Sequence, residues 1–165
     1  MNGTDPIDTA WRIHAAQVDW TGKVDSKANF ALAIESALLV GIIGASKDGI
    51  LSKLSGVQLW SCRIGVALLV AAVVLAMSVV IPRLRSKQAK TEWKNNFIYF
   101  GHVRHWDSDK LAEKIQDAEL LPILSRQIIH MGDIAWIKHR GVQWSLCAGL
   151  AGAAFVGLAP LLRAA

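Results

Sequence analysis

The sequence predicts an all-α integral membrane protein: three transmembrane helices, an N-terminal amphipathic helix, and a helical cytoplasmic segment between spans two and three. Three observations predict it. Of 165 residues, 53% are hydrophobic, and the mean hydropathy of +0.34 is high for a soluble domain. The excess lies in three runs, Ala28–Ser46, Ile64–Ile81 and Val142–Leu162. Each is about 20 residues, the length that crosses a hydrocarbon core of roughly 30 Å as a helix. Finally, eleven of the eighteen Lys and Arg residues fall between the second and third runs: Arg83, Arg85, Lys87, Lys90, Lys94, Arg104, Lys110, Lys114, Arg126, Lys138 and Arg140.

These observations divide the chain into a cytoplasmic N-terminal helix over 1–27, span one over 28–46 and an external loop over 47–63. Span two over 64–82, a cytoplasmic helical segment over 83–141 and span three over 142–162 follow. The positive-inside rule orients them, with the N-terminus cytoplasmic and the C-terminus external. Lys47, Lys53 and Arg63 run against that bias. The alternative, buried helices of a soluble bundle, is opposed by the second run, which is close to all-apolar around its whole circumference.

Taken in order, residues 5–25 place Ile7, Trp11, His14, Val18 and Val24 at helical spacing, with Asp5 as cap and Pro6 in the first turn. This helix either continues into the first span or lies flat at the interface, and Trp11 and Trp20 suit both. No apolar stretch typical of a cleavable signal precedes it, so span one is expected to act as its own insertion signal. Asn29, Glu35 and Ser36 interrupt that span. Cys62 and Cys147 read as small apolar residues too far apart to pair.

After span two, Pro82 and a basic stretch lead to Asn95 and Asn96, a turn signal. The patch Phe97–Phe100 is too short to cross a membrane and reads as a strand, a re-entrant turn or a plug. Asp107 should cap a helix through about Ala118, and Pro122 should open another. Leu121, Leu124, Ile128, Met131 and Ala135 continue at spacings of three and four, predicting one long helix that feeds span three, with Trp136 and Trp144 near the inner interface.

No nucleophile elbow, phosphate loop, HExxH pair or CxxC motif occurs, so neither an enzyme nor a cofactor is expected. His102 and His105 near Asp109 are a poor metal signal, better read as satisfied or solvent-facing histidines, and no metal is expected. Glu35 carries more information, because a carboxylate inside an apolar span is costly and faces protein, water or a partner charge. With Asn29 and Ser36 it is a candidate pore or gate group. The competing reading is a hydrogen-bonded carboxyl that locks helix packing. Small residues recur at Ala33, Ala37, Gly41 and Ala45, and at Gly149, Ala153 and Gly157, stripes that allow close helix approach and predict a homo-oligomer in the bilayer. In the cytoplasmic segment, Arg104 and Arg126 with Tyr99, Phe100 and Trp106 suit a phosphate and a stacked base, although basic residues there also suit anionic headgroups.

The segments WTGKVDSKANFALAIESALLVGIIGA, IPRL followed by NNFIYFGHV, and LSRQIIHMGDIAWIKHRGVQW resemble the transmembrane effector family of Pycsar antiphage systems over most of residues 15–160. The family pattern falls on Asp25 and Lys27, Phe100 and Gly101, Gln127 and Ile128, and Lys138. The resemblance implies a bacterial inner-membrane protein, functionally paired with a pyrimidine nucleotide cyclase. Such a protein would respond to cyclic UMP or cyclic CMP, with no nucleic-acid polymer as partner, by impairing the membrane and halting phage replication. A small membrane scaffold that recruits a soluble partner through residues 83–140 is the alternative.

Overall fold

The computed structural model describes residues 5–47, 49, 53–82, 84 and 86–162. Arg83 and Arg85, two members of the expected basic stretch, lie outside the described residues. Among those described, the chain is all helical: α1 (Pro6–Lys47), α2 (Gly56–Val80), α3 (Ser86–Glu92), α4 (Phe100–Val103), α5 (Ser108–Asp117) and α6 (Leu120–Leu158). A 3₁₀ turn, Trp93–Asn95, follows α3, and another, Ala159–Leu161, follows α6. Three helices are long and apolar enough to span a membrane, within Pro6–Lys47, Gly56–Val80 and Leu120–Leu161.

Local chemistry explains the helix ends. Asp5 Oδ1 accepts the Ile7 amide at 3.0 Å, and Pro6 takes the first helical position, where its missing N–H costs nothing. From there α1 runs unbroken to Lys47, so the N-terminal helix does continue into the first span. Ile81 stops α2: it precedes Pro82 and adopts extended ψ 124°, which relieves the clash with the proline ring. Asp107 caps α5 by accepting the amides of Asp109 and Lys110. Phe97–Phe100 is not a strand; Tyr99 is the N-cap residue of the short helix α4, which Phe100 opens.

The chain forms two compact units. The first holds the described residues up to Gly22 together with Pro82–Trp136; the second holds Lys23–Ile81 and the described residues from Ile137 onward. In the first, α1 buries Ala10 and Gln17 and half-buries Ile7 and His14, leaving Trp11 and Val18 exposed. The face that packs is thus rotated from the one the aromatic and branched residues suggested.

In the second unit each long helix buries one stripe at alternating spacings of three and four. α1 contributes Val24, Ala28, Ala31 and Glu35. α2 contributes Cys62, Gly65, Leu69, Ala72, Ala76 and Val79, and α6 contributes Lys138, Val142, Ser145, Gly149 and Gly152. A mean spacing of 3.5 is the signature of knobs-into-holes packing. Val24, Ala28, Val79 and Val142 form the apolar core. Large apolar side chains point outward: Phe30 is 70% exposed, Val74 61% and Leu150 73%. In water such a surface would aggregate, whereas in lipid it is solvated.

Small residues set the helix separation. A Cβ on Gly65 would lie 2.7 Å from the Gly152 carbonyl oxygen and 2.9 Å from the Val156 amide nitrogen, so α2 and α6 touch backbone to backbone. Ser61 Oγ adds a hydrogen bond to the Phe155 carbonyl at 2.8 Å. By contrast, Gly41 and Gly157, members of the two stripes singled out in the sequence, have open space where a Cβ would stand, and Ala33 and Ala37 are exposed.

Candidate functional site

Two sets of polar residues stand out, one in each unit. In the first unit, Trp93 and Trp106 meet edge to face at 5.0 Å, and the Trp106 indole N–H donates to the Asn96 carbonyl at 3.1 Å. Asn96 Nδ2 donates in turn to the Glu92 carbonyl at 3.0 Å. These contacts fix the backbone of 92–96, so Asn95 and Asn96 sit on a firm turn.

On the other side of that turn, Tyr99 lies against Gly101. Any Cβ on residue 101 would collide with the Tyr99 ring, which is the local reason for glycine there. The ring also meets His102 edge-on at 5.3 Å, and His102 is buried. α6 supplies the remaining wall. Its first turns place Arg126, Gln127 and His130 opposite Asn95, Asn96 and His102 around a cavity of about 300 Å³. Arg126 also lines a second cavity of about 310 Å³ with Lys114, Asp117 and Glu119.

Arg126 is exposed and donates one long hydrogen bond, 3.4 Å, to the Asn95 carbonyl. A guanidinium has five N–H donors, so most of its capacity faces the cavities. The lining combines amide and imidazole groups, which can donate to oxyanions and read polar edges of a small ligand, with the Thr91 hydroxyl and the Glu92 carboxylate, an acceptor that must face a donor of any ligand bound there. About 300 Å³ is at the lower end of the range for small-molecule sites.

The sequence candidates divide accordingly. Arg126 and Gln127 line the cavity; Trp106 braces its rim; Tyr99 positions Gly101 and His102. Phe100 is 66% exposed, Arg104 is exposed at the end of α4, and neither lines either cavity. Thr91, Glu92, Asn95, Asn96, His102 and His130 complete the wall. The sequence had marked the asparagines as a turn and His102 only as a poor metal candidate; the spacing of Gln127 and His130, one turn apart beside Arg126, was the available signal.

In the second unit the polar groups pair across helices. Lys138 Nζ donates to Asp25 Oδ1 at 2.5 Å, joining α6 to α1. Glu35 is buried, and its Oε1 accepts from Ser145 Oγ at 2.8 Å; the same hydroxyl lies 3.0 Å from the Ala72 carbonyl. One hydroxyl therefore ties α1, α2 and α6. Glu35 also rests on Gly149, where a Cβ would come within 2.9 Å of its carboxyl oxygen. Asn29 is exposed and Ser36 half-buried, so neither shares the inward face of Glu35. Within the single chain this is the arrangement of the helix-locking reading, with Ser145 as the partner.

A buried, mutually paired polar interior inside three outward-apolar helices defines a multi-pass helical membrane protein. A family model described as the Pycsar effector protein domain matches residues 9–163. The chain belongs to that family and is a transmembrane effector of antiphage defence, an effector family rather than a catalytic one. No curated protein and no solved structure shows significant similarity to it.

Proposed function

We propose that this effector binds a cyclic pyrimidine mononucleotide, cyclic UMP or cyclic CMP, in the Arg126 cavity and then impairs the bacterial inner membrane. The observation that carries the reading is the convergence of Arg126, Gln127, His130, His102, Asn95 and Asn96 on a cavity of about 300 Å³. Arg126 offers charge-assisted donors to the cyclic phosphate, and the amides match the carbonyl and N–H edge of a pyrimidine. Family membership is consistent with a pyrimidine nucleotide cyclase as the source of the ligand. The segment bearing the cavity then faces the cytoplasm, as does the N-terminus.

Three helices cannot enclose a wide aqueous path, so the conducting or disruptive form is an oligomer, and the exposed face of Ala33, Ala37 and Gly41 is open to a neighbouring copy. In the resting chain Glu35 is held by Ser145. Opening releases it to join Asn29 and Ser36 on a polar path between subunits. The nucleotide drives that change only by binding the open state more tightly.

Calorimetry on the purified full chain in detergent tests the trigger. Cyclic UMP or cyclic CMP should bind, and Arg126→Ala should weaken binding by about tenfold or more, the value of a charge-assisted contact. Arg104→Ala, outside the cavity, should leave binding within about twofold. Absence of heat with every cyclic mononucleotide, or equal losses at Arg104 and Arg126, overturns the assignment.

A further inference from the structure

Asp25 and Lys27 stand two residues apart, which on a helix turns them about 200° from each other. Asp25 takes Lys138. Lys27 points elsewhere, is exposed, and makes no hydrogen bond or ion pair among the described residues. It lies at the end of a groove between α1 and α6, of about 490 Å³, walled by Phe30, Ile34, Leu38, Leu146 and Leu150. Apart from Lys27 and Ser26 at that end, and Glu35 on the floor, every lining residue is apolar or glycine.

The dimensions identify what fits. From Lys27 to Leu38 the helix rises about 16 Å. One leaflet of a hydrocarbon core of roughly 30 Å is about 15 Å deep. The groove is therefore one leaflet long, with a cation where the first apolar run begins, at the level to which a lysine reaches for headgroups.

We propose that this groove is a binding site for an anionic phospholipid, with one acyl chain lying along Phe30, Ile34, Leu38, Leu146 and Leu150 and the phosphate on the Lys27 ammonium. Two helical walls hold the chain, and one charge selects the headgroup. The lipid thereby bridges the faces of α1 and α6 that the Asp25–Lys138 and Glu35–Ser145 contacts leave open.

Native mass spectrometry of the purified full chain, with phosphatidylglycerol and phosphatidylcholine supplied equally, tests this. The wild-type chain should retain phosphatidylglycerol preferentially. Lys27→Gln should reduce that preference about fivefold, the effect of one cation at an anionic lipid surface, and Lys27→Arg should keep it. Leu150→Trp should lower retention of both lipids by filling the groove. Lys27 is exposed, so its two variants test the site even where the tryptophan variant fails to fold. The proposal is overturned if the wild type shows no headgroup preference, or if Lys27→Gln retains it in full. It is equally overturned if a chain carrying Ile34→Cys and Leu150→Cys, with Cys62→Ala and Cys147→Ala, crosslinks quantitatively between copies while lipid is excluded.

Discussion

Removing either end of the Asp25–Lys138 ion pair should have unequal consequences, because the two side chains are unequally buried. The Lys138 side chain is 9% exposed and that of Asp25 is 37% exposed. Asp25→Ala strands an ammonium inside the helix packing, and an uncompensated buried charge costs about 3–5 kcal/mol. Lys138→Met removes the charge and keeps the length of the side chain, leaving a carboxylate that already reaches solvent. Its loss resembles that of a surface pair, about 1 kcal/mol. Combining both substitutions removes the stranded charge and should bring the cost back to about 1 kcal/mol, giving a coupling energy of about 3–5 kcal/mol in a double-mutant cycle. Helix content followed by circular dichroism through a dodecyl sulfate titration in mixed micelles measures all four proteins. If Lys138→Met costs as much as Asp25→Ala, or if the double variant is as unstable as the sum of the singles, the burial argument is wrong.

The same titration distinguishes the glycines: Gly65→Ala and Gly152→Ala should each cost about 1–3 kcal/mol by forcing backbones apart, whereas Gly157→Ala, with no atom within 4 Å of a new Cβ, should be neutral or slightly stabilising. Topology is checked by reporter fusions: one near Lys90 should read cytoplasmic and one after Ala165 external, and both on one side would remove the three-span orientation.

What the sequence revealed depended on how local each signal was. Asp5 and Asp107 as caps, Pro122 within the first turn of α6, and one helix from there into the third span follow from short-range rules that tertiary structure had no reason to override. The face of α1 near Trp11 and Val18 was less legible, because in a chain bound for a bilayer large apolar residues can face lipid and small or polar ones the protein. The same inversion hid the packing stripe of α2, whose Gly65, Ala72 and Ala76 look unremarkable in an apolar run. The partners of Asp25 and Glu35 lie 113 and 110 residues away. Glu35 was recognisable as exceptional and Asp25 as a position of the family pattern, but no pattern along the chain says that Lys138 and Ser145 answer them. The wall of the Arg126 cavity was partly visible for the same reason: Arg126 and Gln127 are adjacent, while Asn95 and His102 arrive from a separate turn.

The separation of Glu35 from Ser145 also sets an order of events during synthesis. At about 5–20 residues per second, the 110 residues between them take roughly 5–20 s to emerge. Throughout that interval the first span carries a carboxyl group whose hydroxyl partner does not yet exist, and Asp25 waits as long for its lysine. The nascent first and second spans are thus an incomplete pair, held at the membrane by hydrophobicity alone until the last helix enters. A chain halted before Ser145 carries Glu35 without the hydroxyl that ties it to α6, so the first span gains its polar lock only when synthesis has passed the third.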